Sequence, residues 1–318
     1  MTSRLLRYLV ILALLSVATL VVAEKVTGTS LSFLLSGRLW LPVDDQTPFL
    51  SLGVKAALAD PVPQVTAGEI EWQELAEGFE AGEVAVFASG QEVDRVFLAR
   101  IDPARFRFRL HHDPSGKRAL NDWRRETGAL FLVNGSFYGR QGEPVTPTVV
   151  GGAALGPEDY DARHGAFVTD GSSARIVDLA GGDWKAAFAG AEQAFVSYPL
   201  LLAEDGSTRA TKASGWLANR SFLAADGAGR LIVGTTQDAF FSLARLAAFL
   251  GSLPLDVKLA LNLDGGPVAC QSVDLEAFRR GSCGRWDVRV EGDKARMLPS
   301  ASLLRDPPLP LVLAVYPK

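Results

Sequence analysis

Residues 220–236, RSFLAADGAGRLIVGTT, set two apolar runs on either side of a DGAG turn. Aspartate and glycine supply the backbone freedom of a tight reversal, so the two runs pair as an antiparallel hairpin. A pair this apolar is stable only inside a larger covered sheet, and the rest of the chain offers the strands for one. In RFRFRLHH, Phe106, Phe108 and Leu110 alternate with Arg105, Arg107 and Arg109, the period of two that buries one face and wets the other. EVAVFAS, DRVFLARI, ALFLV and DVKLALNLD add further strands. Helical windows are few. SGKRALNDWRRETG reads as a short helix with Ser115 as cap and Gly128 just past its end, and QDAFFSLARLAAFLGS as an amphipathic helix capped by Asp238. The expected fold class is α+β: an antiparallel or mixed β-sheet core with a few flanking helices, in a single main domain over residues 66–318.

The chain begins MTSRLLRYLVILALLSVATLVVAEK, where Arg4 and Arg7 precede an unbroken apolar run from Tyr8 to Ala23. Such a segment reads as an export signal. Small residues at Val21 and Ala23 suit cleavage after 23, while the length of the run also suits a membrane anchor, and both readings stay open. Residues 24–65, punctuated by LPVDDQTP and ADPVPQ, read as a tether or irregular arm, with ALAD at 57–60 as a second place for processing. The body of the chain is therefore expected outside the cytoplasm, in the periplasm or anchored to the inner membrane facing it. An oxidising compartment allows Cys270 and Cys283, the two cysteines, to pair; closing that loop would stabilise by about 3 kcal/mol. With 32 Lys and Arg against 36 Asp and Glu, a net charge of -4 gives no reason to expect a nucleic acid partner. Membrane contact is expected only through the N-terminal segment. Two cysteines and three scattered histidines lack zinc-ligand spacing.

Three loops place polar residues directly after apolar strands, where rigid elements present side chains to a cleft. FLVNGSFYG gives Asn134, Gly135 and Ser136, with a simple Asn-Gly turn as the competing reading. LANRSF gives Arg220 at the start of a strand, where a solvent-facing arginine is the competing reading. LNLDGG alternates Asn262 and Asp264 with Leu261 and Leu263, which sends both polar side chains to one face. Gly265 and Gly266 then let backbone approach a ligand. His164 is a candidate for proton transfer, Thr146 and Thr148 for lining a cleft, and Tyr198 for one of its walls. His111 and His112 read as surface residues.

Taken in order, FLVNGSFYG, SYPLLLAEDG, NRSFLAADGAGRLIVGTTQ and LALNLDGGPVACQ resemble the phosphodiester glycosidase family over roughly residues 80–318. Two departures stand out: Ser136 replaces the family's second glycine, and PVACQ follows LDGG in place of small hydroxyl residues. The resemblance implies cleavage of a sugar-1-phosphodiester, or a related linkage of an envelope glycan, on the sugar side. A departing phosphate monoester has a second pKa of about 6, so it needs less acid assistance than an alkoxide. Arg220 would clamp the phosphate and Asp264 would act at the anomeric carbon as nucleophile or general base. Asn134 and Asn262 would orient hydroxyl or phosphate oxygens, and Gly135, Ser136, Gly265, Gly266, Thr148, His164 and Tyr198 would contact substrate. No cofactor is expected. Two other readings remain: a non-catalytic envelope protein that binds a glycan or a protein through the same cleft, and a metal-dependent phosphodiesterase with a hard cation at Asp264.

Overall fold

The alternation of Phe106, Phe108 and Leu110 fixes one edge of the molecule. All three are buried in the strand Phe106–His112, whose Arg105 and Arg109 neighbours face solvent. We describe a computed structural model in which residues 41–210, 215–292, 294–299 and 306–318 are placed, together with Ser16 and Thr19. The expected export signal lies outside the described residues apart from those two. Among the described residues, no helix is long and apolar enough to cross a membrane.

The hairpin Ser221–Asp226 and Leu231–Thr236 forms as expected, with Ala224 opposite Ile232. It lies inside an eight-stranded sheet, flanked by Val257–Asn262 on one side and Gln91–Ile101 on the other. A five-stranded sheet runs Phe278–Cys283, Cys270–Leu275, Phe131–Asn134, Leu311–Pro317, Phe106–His112. All the strand pairings among the described residues are antiparallel, and the fold is α+β. One face of the large sheet packs Phe79, Phe97, Leu223 and Leu261 against Phe108 and Phe131 of the five-stranded sheet. Each such side chain contributes about 1.5 to 3 kcal/mol by leaving water. The other face is covered by the helix Leu243–Ser252 through Leu246, Phe249 and Leu250.

Both helix starts differ from the sequence reading. The first helix is Leu120–Thr127, capped at Ala119, whose amide donates to the Asp122 carboxylate at 3.0 Å; Ser115 instead donates to Asp113. Gly128 ends it in the left-handed region at φ 61. The second helix is capped by Ser242, not Asp238, because Ala239, Phe240 and Phe241 must first be buried along irregular backbone. Asp238 turns inward toward Asp94. Part of the expected arm is folded too: Leu41–Val43 pairs with Lys294–Pro299, and Val54 and Ala57 of the helix Leu52–Leu58 enter the core. His111 and His112 are half-buried, with Nε2 atoms 2.9 Å from the Tyr316 hydroxyl and 3.0 Å from the Gly142 carbonyl.

Candidate active site

The strand Val257–Asn262 buries Leu259 and Leu261 in one core layer and Ala260 in the other, so it is held from both sides. Its extension keeps pairing as far as the Leu263 amide, which donates to Ser221 O at 2.9 Å. There two sheets meet. The Asp264 amide donates to Gly135 O at 3.3 Å, and the Asp264 carbonyl accepts from Asn134 Nδ2 at 2.8 Å. Asn134 Oδ1 accepts from the Cys270 amide at 3.1 Å. Both ends of the Asn134 amide are thus engaged with backbone, and it orients Asp264 rather than substrate oxygens. Gly135 is no hairpin turn: a Cβ there would lie 2.7 Å from Leu311 Cγ, so the glycine serves a close approach. The Cys270–Cys283 disulfide forms between directly opposed residues and ties the strand after the Asp264 loop to its neighbour.

Arg220 is not a solvated strand-end cation. It is 6% exposed, with Nε donating to Phe241 O at 3.1 Å and Nη2 to Trp216 O at 2.6 Å. A Cβ at Gly265 would lie 3.6 Å from Arg220 Nη1, which puts the guanidinium against the backbone that follows Asp264. On the far side stands Asp287, half-buried on the strand Trp286–Glu291 opposite Ala218. Its Oδ1 accepts from Trp216 Nε1, and a Cβ at Gly266 would lie 3.5 Å from its Oδ2. Gly266 has φ +70, so its lack of a side chain serves both the backbone and the room above it.

Burial in this place pushes the Asp264 carboxyl up to about 7; the Gly265 amide lowers it, Asp287 raises it and Arg220 lowers it. Burial likewise lowers Arg220 to about 10, against the pull of Asp287 and Asp264, so the guanidinium stays charged at neutral pH. The centre is an arginine flanked by two carboxyls, one of them poised to change charge near neutrality.

The other predicted residues divide. Tyr198 is 38% exposed, its ring stacked on Phe137 with centroids 4.3 Å apart, and its phenol is raised by burial and by the charge of Asp264. Asn262 Nδ2 donates to Tyr198 O at 2.9 Å. His164 lies beside Tyr198 with ring centroids 6.3 Å apart; burial, then Arg209, lowers its pKa, so the ring is neutral at pH 7. Ser136, Thr146 and Thr148 do not reach the cleft surface. Ser136 Oγ donates to Val196 O at 2.7 Å and Thr148 Oγ1 to Thr146 O at 3.0 Å, a buried polar layer beneath it.

Asp287, Trp216 and Asn219 escape sequence reading. RWDVRV looks like any amphipathic strand, and only its pairing with Trp216–Ala218 brings Asp287 to the site. Asn219 carries a signal, as a polar residue directly before Arg220. Its Oδ1 accepts the Arg285 and Trp286 amides at 2.8 and 3.0 Å, and its carbonyl accepts from Gly266 at 2.8 Å, joining the two walls. A hollow of about 360 Å³ lined by Glu83, Arg95 and Arg280 contains none of these groups, and Glu83 pairs with both arginines. Among the described residues, no group of three or more His, Cys, Asp or Glu is arranged to hold a metal ion.

Residues 127–288, just over half of the chain, match the model of the phosphodiester glycosidases. The protein belongs to the phosphodiester glycosidase family. Asn134, Arg220, Asp264 and Asp287 all lie within the matched residues, and membership of this hydrolase family favours the enzyme over the non-catalytic reading. Among solved structures, the chain is similar to the catalytic domain of zebrafish N-acetylglucosamine-1-phosphodiester α-N-acetylglucosaminidase, auto-inhibited by its pro-peptide. That match has a TM-score of 0.54 at 14% identity over 81% of this chain and 89% of that one. A hypothetical protein from Synechocystis matches with a TM-score of 0.54 at 16% identity, over 79% of this chain and 64% of that one. At these identities the likeness is one of fold. No curated protein sequence gives a significant match.

Proposed function

We propose that this phosphodiester glycosidase is an exported hydrolase that breaks the bond between the anomeric carbon of a sugar and the oxygen of a phosphodiester in an envelope glycan. The observation that carries the reading is the Asp264 carboxyl, on a backbone whose carbonyl Asn134 holds, raised to about 7 beside the buried guanidinium of Arg220. Ionised Asp264 attacks the anomeric carbon or takes a proton from the attacking water. The C–O bond breaks, and its electron pair leaves on the phosphate; where Asp264 is the nucleophile, water then hydrolyses the glycosyl ester and frees the carboxylate. Arg220 stabilises that growing charge through donors already fixed in place, so no reorganisation is needed as the bond breaks. A base with a pKa near the working pH combines a useful ionised fraction with real basicity. Burial is the main cause that keeps Asp264 there, and the Asp287 charge adds to it.

Export is supported by the arginine-led apolar segment at 4–23 and by a disulfide suited to an oxidising compartment. The decisive experiment is the Asp264→Asn protein assayed on a sugar-1-phosphodiester. We expect kcat/KM to fall by about a thousandfold with a melting temperature no lower than that of the wild type. Hydrolysis at wild-type rates by that protein would remove Asp264 from the chemistry.

A further inference from the structure

Exposed apolar side chains scattered one at a time are ordinary on a folded protein. Those at the start of the helix Leu52–Leu58 are not scattered. Phe49 and Leu52, three residues apart, are 57% and 61% exposed, the two most exposed large apolar side chains among the described residues. They stand on rigid backbone. Leu50 between them is buried, and so are Val54 and Ala57 on the inner side of the helix. Ser51 caps the helix by accepting from the Val54 amide, and its hydroxyl donates to Asp238 Oδ1 at 2.7 Å. A segment clamped in this way cannot turn Phe49 and Leu52 inward to escape water.

The sequence on the N-terminal side points to the partner. The apolar run Tyr8–Ala23 has the pattern of an export signal or anchor, and a second apolar stretch, LSFLLSGRLWLP, occupies 31–42. Seventeen residues, 24–40, separate Ala23 from the first strand. Fully extended they reach at most about 60 Å. A bilayer that receives residues 8–23 is therefore within reach of the helix that follows and meets it at a high local concentration. Charge adds little to the attraction. Asp44 and Asp45 precede the exposed pair, and Lys55 follows within one turn of Leu52, so the contact rests on apolar surface.

We propose that Phe49 and Leu52 form a membrane-contact tip that enters the interfacial layer of a phospholipid bilayer. Two inserted side chains give a weak, reversible contact by themselves, which the segment upstream makes persistent. The strand Leu41–Val43 that leads into the tip is one edge of a four-stranded sheet, and Trp216–Ala218, whose Trp216 carbonyl holds Arg220, is the other. Three strand spacings, about 14 Å, separate the two edges. The tethered end and the candidate active site thus share one sheet, and the tip keeps that site near the lipid surface. The proposal rests on the export reading and is independent of the catalytic one.

The test uses the full chain. Cys270 and Cys283 are paired and no cysteine is free, so Leu52→Cys adds the one thiol to which a nitrobenzoxadiazole fluorophore couples. The labelled protein is added to vesicles of phosphatidylethanolamine and phosphatidylglycerol, with and without lipid carrying a nitroxide on its acyl chain. We expect the emission to rise about twofold or more and shift to the blue, and the nitroxide to quench about half of it or more. The same label at Ala189→Cys, exposed beyond the helix Trp184–Ala187, should show neither change. Adding Phe49→Ser should remove about half of the quenching or more, and salt at about 0.5 M should leave it in place, because screening acts on charge alone. An unquenched label at 52, equal quenching at 189, quenching lost in salt or quenching that Phe49→Ser leaves intact would overturn the tip. So would a blue shift without lipid that grows with protein concentration, since a second copy would then cover these side chains. Should Phe49→Ser lose its cooperative melt, Phe49→Gln is read by the same threshold. Cell fractionation tests export separately: a chain retained in the cytoplasm would sink that reading, whereas the vesicles test the tip itself. Hydrolysis of a sugar-1-phosphodiester is measured alongside. Quenching without hydrolysis would sink the catalytic reading alone, and hydrolysis without quenching would sink the tip alone.

Discussion

Two pairs of carboxyls flank the same hairpin, and they do different things. Both lie at its open end, away from the DGAG turn: Asp94 and Asp238 on the side of the strand Gln91–Ile101, Asp264 and Asp287 around Arg220 on the side of the strand Val257–Asn262. Burial raises Asp94, Asp238 and Asp264 alike. Asp94 Oδ1 accepts the amides of Arg95, Gln237 and Asp238 at 2.7, 3.1 and 2.8 Å, and Asp238 Oδ1 accepts the Ser51 hydroxyl at 2.7 Å. That pair pins a loop and the helix Leu52–Leu58 to the sheet. Among the described residues, no cation hydrogen-bonds either carboxyl, and the glycine beside Asp238, Gly53, packs against protein and opens no space: a Cβ there would lie 2.9 Å from Asp238 Cγ and 2.2 Å from Val93 O. The Asp264 pair has the arginine, the glycines and the exposed aromatic rings on either side. A raised pKa thus marks burial in both places, and only its surroundings mark chemistry.

Arg220→Lys should separate the pairs most strongly. A lysine ammonium cannot reach Phe241 O, Trp216 O and a phosphate oxygen together, so kcat/KM on a sugar-1-phosphodiester should fall by about a hundredfold or more. Activity equal to wild type would mean that the Asp264 pair works without its cation, and the contrast would collapse. Asp94→Asn should have the smaller effect and on a different quantity. An acid whose folded pKa lies above its unfolded value stabilises the fold fully below the unfolded value, and that contribution is lost as pH rises. Asparagine supplies a permanent donor without a charge. The melting temperature at pH 8 should therefore rise by a few degrees, with kcat/KM unchanged; a lower melting temperature would show that the Asp94 charge itself holds the loop.

Much of this architecture is legible from one-dimensional pattern. Hairpin, alternating strand and disulfide each depend on residues close in sequence, and each forms as the pattern predicts. Arg220 and Asp264 are legible as polar residues that end or begin apolar strands, and the structure brings them together. What escapes depends on long-range pairing. Asp287 reaches the site because Trp286–Glu291 pairs with Trp216–Ala218, a register that no local periodicity encodes. Asn134 and Ser136 stand in the expected loop, but which carbonyl each bonds is decided by the neighbouring strands. The misplaced helix cap at Asp238 has the same origin: the core takes Phe240 and Phe241 before a helix can begin.

The central claim is that Asp264 works ionised, with its pKa set by burial and by Asp287. The most direct measurement is the pH dependence of kcat/KM for the wild type and Asp287→Asn, side by side on one sugar-1-phosphodiester. The wild type should show an acid limb, activity rising with pH through about 7 as Asp264 in the free enzyme loses its proton. In Asp287→Asn the neighbouring negative charge is gone, so that limb should move to lower pH. A wild-type profile without an acid limb near 7, or a limb that Asp287→Asn leaves in place, would contradict the account.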